Sequence, residues 1–500
     1  MRTRASDVDE EGGPVVRTTS GLVRGLGTEG GHAFLGVPYA APPVGPLRFA
    51  PPVPPRRWRG VRDATRFDPT APQSTRTTPL VKPTIIEGDD CLHVNVHTPD
   101  LGPARLPVLV WIHGGGMVMG CNADAWIQGA RLSARGIVVV SINYRLGVDG
   151  FLPLPDAGAN RAVLDWRAAL AWVQDNVAGF GGDPDRVTIG GQSAGSAACL
   201  TLLADARHHQ AFRRVVAMSG VPWNLVDLAT AEARADELAD RVGVDRTAAG
   251  LASVPYDRLF EVQTAMAPVG GITGLGDPLT AFHDVAGTRT WLGPVPDGDV
   301  VPVPPLDAIA AGTGSEHDLL VGSTHEEMDA LIGVFGTNID RAAAVDALRR
   351  VGLTGPAVRR WLDALGDRSP GHALGAALTA MSFGLPVLRV AEARFGAAAP
   401  TFVYEVTWHP STPLGAVHAI DLPYAFDLLD AENVDLFAGG VPPASLADDL
   451  SSALVRFVAD GDPGWPRYRA DERATMAFDL PSTVRHDPAR VAREVFASLC

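Results

Sequence analysis

Two continuous apolar runs stand out in the first third of the chain: Leu106 to His113 (Leu-Pro-Val-Leu-Val-Trp-Ile-His) and Gly136 to Tyr144 (Gly-Ile-Val-Val-Val-Ser-Ile-Asn-Tyr). Neither alternates with polar positions, so both predict strands buried on two faces of a mostly parallel sheet. The pattern then changes. Apolar residues recur at Val163, Trp166, Leu170, Val173 and Val177, which is helical spacing, and Gly181-Gly182-Asp183-Pro184 ends the run. A strand opens again at Val187-Thr188-Ile189 and leads into an Ala/Leu-rich helix from Ser196 to Leu203. Farther on, strands are predicted at Asp318–Ser323 and Phe402–Trp408, and helices around Ala342–Leu348 and Pro386–Phe395. Strand, helix, strand and helix in succession imply right-handed crossovers and an α/β fold: a large, mainly parallel open sheet with helices on both faces. Segment 224–290 is Ala-rich, then Gly-rich, and reads as a helical and loop cap over the carboxyl edge of that sheet. No repeat or linker divides the chain. A polar, acidic tail over 1–13 is expected to be disordered, and 14–500 to form a single domain.

Composition narrows the partners. Hydrophobic residues make up 46 % of the 500 residues and charged residues 20 %, enough for a substantial core. The formal net charge is −15, which repels phosphate backbones and anionic headgroups, so no nucleic-acid partner is expected. Lys82 is the only lysine; with so much Ala, Gly and Pro this reads as codon bias rather than function. No apolar run is expected to span a membrane and no signal peptide is read at the N-terminus, so a cytoplasmic location is expected. Cys91, Cys121, Cys199 and Cys500 fit no zinc or redox spacing, and no metal or cofactor is expected.

The chemistry is carried by Gly191-Gln192-Ser193-Ala194-Gly195, between the strand at 187–189 and the helix at 196–203. A strand feeding a helix through so sharp a turn strains the central serine and lifts its hydroxyl above the sheet, while the glycines admit a turn that any Cβ would obstruct. Ser193 is therefore the candidate nucleophile. A serine hydroxyl needs a base, and the base needs an orienting acid; in this fold the order along the chain is Ser, acid, His. The acid candidate is Glu327, just past the strand ending at Ser323, with Glu326 as the fallback. The base candidate is His418, in a loop after the strand ending at Trp408. His113-Gly114-Gly115-Gly116 follows the strand 108–112, where unobstructed N–H groups of Gly115 and Gly116, with that of Ala194, suit an oxyanion hole. Each element has an unremarkable alternative: a chance motif, one of 13 histidines, a solvated pair of glutamates, a plain glycine turn. Their joint order and context argue against it.

With these motifs in place the chain resembles the type-B carboxylesterases, the para-nitrobenzyl esterase- and cholinesterase-like α/β-hydrolases. The resemblance runs from Val15 to Phe478 through Phe34–Ala40, Pro42–Phe49, Asp89–Val96, Asn143-Tyr144-Arg145, Asn176–Pro184, Ser219-Gly220 and Gly461-Asp462-Pro463. It implies a triad of Ser193, Glu327 and His418, an oxyanion hole of Gly115, Gly116 and Ala194, and structural ion pairs Arg48–Asp89 and Arg145–Asp165. It also exposes departures. Gln192 stands where the family has Glu, which removes a negative charge beside the imidazole. Cys91 has lost its disulfide partner, since Ala71-Pro72-Gln73 occupies that region. Met117 replaces an aromatic, Met328 replaces a glycine after the acid, and Ala419 replaces a glycine after the histidine, a change small in size.

Together these readings point to hydrolysis of small to medium carboxylic esters through an acyl-enzyme, by a monomer or weak homo-oligomer acting on a small-molecule ester. An amidase or carbamate hydrolase with the same machinery is the alternative; a non-catalytic binding protein is a more distant one. Met117, Gln192 and Trp223 are the candidate pocket residues, with the 265–290 loops. Choline esters are disfavoured because residues 71–90 hold no Phe, Tyr or Trp to face a quaternary ammonium.

Overall fold

The computed structural model describes residues 7–8, 12–73, 84–221, 225–267, 277–287, 292–330, 332, 338–497 and 499. In chain order the strands are β1 (Asp7–Val8), β2 (Pro14–Arg17), β3 (Leu22–Arg24), β4 (Leu26–Thr28), β5 (Gly31–Pro38), β6 (Val61–Asp63), β7 (His93–Thr98), β8 (Leu106–Ile112), β9 (Val138–Ile142), β10 (Gly182–Gln192), β11 (Arg214–Met218), β12 (Asp318–Thr324), β13 (Thr401–Val406), β14 (Ala474–Phe478) and β15 (Thr483–His486). Eleven of them form one sheet in the order β15-β14-β13-β12-β11-β10-β8-β9-β7-β5-β4. From β9 to β14 neighbours are parallel, and antiparallel strands close both edges. A small four-stranded sheet, β1-β2-β3-β6, lies apart. Most of the segment 1–13 lies outside the described residues, but Asp7–Val8 pairs with Pro14–Val15 as its outer strand.

The unbroken apolar runs are buried on both sides, as their lack of alternation predicts. Val108, Val110 and Ile112 of β8 face one hydrophobic core, while Leu109 and Trp111 face the other. On β11, Val215 and Ala217 turn to the first core and Val216 and Met218 to the second. The helix Arg161–Asn176 covers the first face through Val163, Trp166, Leu170 and Val173, all buried.

The chain leaves β8 toward β9 and returns on the other side as β10, so the sheet reverses direction of growth between β8 and β10. At such a switch point the two outgoing loops diverge and leave a crevice at the carboxyl ends of the strands. Register puts those ends level: Gly191 pairs with Ile112, Gln192 with Met218, Met218 with Gly322 and Thr324 with Val406. Helices Leu228–Val242, Tyr256–Met266 and Pro278–Gly287 supply the expected helical segment after β11; Trp223, 268–276 and 288–291 lie outside the described residues.

One scaffold ion pair forms as expected and one does not. Arg145 donates twice to Asp165 (2.9 and 2.7 Å), both side chains buried, and donates further to the carbonyls of Arg48 and Ala50, so the loop after β9 is tied to the helix below it. Arg48 does not pair with Asp89. It forms a bidentate pair with Asp149 (2.9 and 3.2 Å), in the helical turn Gly147–Phe151, and its guanidinium lies 4.0 Å from the Tyr256 ring centroid. The planar fork of arginine matches a carboxylate held at that distance on a helix, and the ring shields the pair from water.

The helical stretch Pro370–Ala393 is, against expectation, long and apolar enough by composition to cross a bilayer; 67 % of its most apolar window is buried in the protein. A π-helical segment, Ala380–Gly384, interrupts it. Its apolarity belongs to the core: Leu374, Ala377, Leu378, Val387 and Val390 all pack in the first cluster.

Candidate active site

Ser193 ends β10 and begins the helix Ala194–Leu203 with φ 55° and ψ −119°, a conformation open to non-glycine residues only when their surroundings enforce it. The surroundings do so by close backbone contact. A Cβ at Gly195 would collide with the Ile112 carbonyl, one at Gly191 would lie 2.7 Å from that same oxygen, and one at Gly220 would strike the Ser193 carbonyl. The Ser193 N–H donates to the Met218 carbonyl (2.8 Å), which fixes the turn to β11. The strained elbow read from Gly-x-Ser-x-Gly is therefore present, and its glycines are sterically required.

The glycine loop after β8 lies alongside. Gly115, Gly116 and Met117 have successive positive φ values of 108°, 62° and 65°. Among the described residues, the N–H groups of Gly115, Gly116 and Ala194 have no protein acceptor. Gly114 is close-packed: a Cβ there would lie 3.0 Å from the Gln192 Oε1 and 3.3 Å from the Ser193 Cβ. His113 shapes this loop rather than taking part in chemistry. It donates to the Gly114 carbonyl (2.8 Å), stacks on Tyr144 at 4.4 Å, and burial lowers its pKa to about 4. Met117 is 4 % exposed and packs in the core at the loop's base.

His418 meets Glu327. The imidazole Nδ1–H donates to Glu327 Oε2 (2.5 Å), while Oε1 accepts from the Thr324 N–H (2.8 Å), so both carboxylate oxygens are occupied. Burial disfavours the charged imidazole, but Glu327, and behind it Asp421, outweigh that effect and raise the His418 pKa above its ordinary value. Phe383, from the π-helical segment, packs against the ring at 4.9 Å. Gln192 reaches the far side of the ring, with its side-chain Nε2 3.2 Å from His418 Nε2. Its amide is thus a contact of the imidazole, and the residue is only 4 % exposed.

Glu326, the fallback acid, does different work. Its carboxylate accepts from the Ala416 N–H (2.8 Å) and its own N–H donates to the Ala416 carbonyl (3.2 Å). Arg368 pairs with it at 3.4 Å, and the His409 Nε2 lies 3.5 Å from Oε2. Glu326 therefore clamps the loop carrying His418, while Glu327 faces the ring. Next to it, burial and then Glu326 push the Asp329 pKa up to about 7. Asp421 also sits near 7, raised by burial and then by Glu327, and accepts from the Tyr404 hydroxyl (3.1 Å). Sequence reading missed Asp421, Arg368 and Phe383. Asp421, three residues after the histidine, carried a local signal; Phe383 is brought in from a distant helix and carried none.

The two lost glycines behave in opposite ways. Met328 has no positive φ, is 9 % exposed, and its N–H donates to Thr379 Oγ1 (3.0 Å). Ala419 holds φ 69°, so the change that looked small is the one that carries backbone strain.

Two outcomes follow. Ala419→Gly is expected to raise the unfolding free energy by about 1 kcal/mol, and Met328→Gly to lower it by about 2–4 kcal/mol. Denaturant midpoints read both, and changes of the same sign would refute the assignment of strain to Ala419. Glu326→Ala is expected to lower kcat by about ten- to a hundredfold with KM nearly unchanged, since it loosens the imidazole without touching substrate. A change confined to KM would argue against the clamp.

Comparison with known proteins agrees with this architecture. A profile of the Carboxylesterase family matches residues 12–495. The chain is 32 % identical over 494 residues to para-nitrobenzyl esterase of Bacillus subtilis (strain 168), covering 96 % of this chain and 98 % of that one. It is 33 % identical over 506 residues to phenmedipham hydrolase of Pseudarthrobacter oxydans, covering 95 % and 97 %. Among solved structures, a Geobacillus stearothermophilus carboxylesterase superposes with a TM-score of 0.83 at 31 % identity, covering 96 % of this chain and 99 % of that one. The fold is that of the α/β-hydrolases, and the chain belongs to the carboxylesterase family and is a carboxylic ester hydrolase.

Proposed function

We propose that this protein is a serine carboxylesterase that hydrolyses small to medium carboxylic esters through an acyl-enzyme, with Ser193, His418 and Glu327 as its triad. The observation that carries this reading is the 2.5 Å bond from His418 Nδ1 to a fully buried Glu327 carboxylate. That bond commits the proton to Nδ1 and leaves Nε2 as the base, at the carboxyl edge of the sheet where Ser193 is held in its strained turn.

In this mechanism Ser193 Oγ attacks the ester carbonyl as His418 Nε2 takes its proton. The carbonyl oxygen, now an anion, is stabilised by the N–H groups of Gly115, Gly116 and Ala194; one such donor contributes about 3 kcal/mol. The tetrahedral intermediate collapses, the ester C–O bond breaks, and the Nε2 proton passes to the departing alcohol. Water then attacks the acyl-serine with His418 again as base, releasing the carboxylic acid and restoring Ser193. Glu327 stabilises the transient imidazolium. The chemistry of these groups calls for no metal or cofactor. Cys91, Cys121 and Cys199 are buried free thiols, which fits a reducing compartment, and we assign the protein to the cytoplasm.

A p-nitrophenyl ester series from acetate to long acyl chains should be hydrolysed by the wild type. Ser193→Ala should lose about 10³-fold or more in kcat. Retention of activity in that variant would remove Ser193 from the mechanism, and faster turnover of matched amides than esters would favour the amidase reading. The acid limb of kcat/KM should lie above the ordinary histidine value of 6.5, because Glu327 and Asp421 raise His418. Activity is then retained above that pKa and lost as pH falls through it. Gln192→Glu adds a negative charge beside the ring and should move the limb higher still; an unchanged limb would show that position 192 has no electrostatic influence.

A further inference from the structure

Gln192 does more than lack a charge. Glu327 can only accept a hydrogen bond, so the His418 Nδ1 keeps its proton and Nε2 presents a lone pair. The atom of Gln192 facing that lone pair, at 3.2 Å, is the side-chain amide nitrogen, with Oε1 turned toward Gly114. An N–H is the only part of an amide that satisfies a bare imidazole nitrogen. Among the described residues no hydrogen bond joins the Ser193 hydroxyl to His418. A carboxylate at position 192 would have no proton to offer and would favour the protonated ring instead.

We propose that Gln192 caps the catalytic base in the substrate-free enzyme, donating its amide N–H to the lone pair of His418 Nε2, so that a substrate must displace it before Ser193 can be deprotonated. This rests on the assignment of Ser193 and His418 as nucleophile and base. The cap favours the neutral imidazole, against the pull of Glu327 from the loop after β12 and of Asp421 from the short helix Asp421–Ala425. From β10 and from the π-helical segment the ring meets uncharged groups, Gln192 and Phe383. Displacement has a consequence for substrate choice. The released N–H lies on the Nε2 side, where the leaving alcohol must stand to receive its proton, and a buried donor without an acceptor is unfavourable. Esters whose alcohol carries an ether or carbonyl oxygen near the ester linkage restore that bond; plain alkyl esters do not.

The test is the rate at which a fluorophosphonate modifies Ser193, followed against pH in wild type, Gln192→Leu and Gln192→Met. The methionine variant, unbranched like glutamine, guards against a packing failure in the leucine variant. Removing the cap should raise the plateau rate about two- to tenfold and move the acid limb up by about half a unit to one unit, the size of one net hydrogen bond. Identical plateaus and limbs in all three would overturn the proposal. A wild type forming no Ser193 adduct at any pH would instead overturn the triad assignment on which it rests. The kcat/KM ratio of 2-methoxyethyl over n-butyl esters should be about two- to tenfold higher in wild type than in either variant. Equal ratios would overturn the inferred preference for acceptor-bearing alcohols.

Discussion

The site depends on how closely three backbones approach one another at the end of the central strands. Ser193 adopts its positive φ because β10 turns against the Ile112 carbonyl on one side and Gly220 on the other, with no room for a Cβ at Gly191, Gly195 or Gly220. The reversal of strand order between β8 and β10 puts that turn beside the glycine loop, so one topological feature brings together the candidate nucleophile and the candidate oxyanion donors. Strain at Ser193 is then a property of the whole sheet, maintained by the register of β8, β10 and β11.

A second constraint is electrostatic. Three carboxylates crowd the His418 loop, and the structure gives each a different task. Glu327 meets the imidazole, Glu326 holds the loop backbone, and Asp421 rests against the Tyr404 hydroxyl with a pKa near 7. Burial first, and then the neighbouring Glu327, raise the Asp421 carboxyl to about 7. Gln192 fits this balance. A fourth carboxylate beside the ring would add to the crowding, whereas an amide contributes a donor and no charge.

Much of this was legible in the chain. Buried strands lack polar alternation, and β8, β9, β12 and β13 appeared within a few residues of their observed bounds. The helix spacing at 163–177 and the elbow at 191–195 are local patterns, and local patterns survive folding. What depended on distant neighbours did not read through. Arg48 found Asp149 rather than Asp89 because helix geometry offered a bidentate carboxylate there. Ala419, a substitution small in size, took the left-handed conformation, while the larger change at Met328 took none. Phe383 reaches His418 from a helix interrupted by a π turn, a contact that no spacing along the chain reports.

The sequence by itself carried the candidate site: a serine on a glycine-flanked strand-to-helix turn, a histidine and a glutamate following it, and glycines placed to expose backbone donors. These are composition and spacing, and they act over a few residues. Only the tertiary structure decided which of two adjacent glutamates faces the imidazole, which carboxyls have their pKa raised toward 7, and where the Gln192 amide points. Those choices depend on distances across strands that meet only after the sheet has formed. A hydrogen bond or a desolvated charge is decided by atoms a few ångströms apart in space, whatever their separation along the chain.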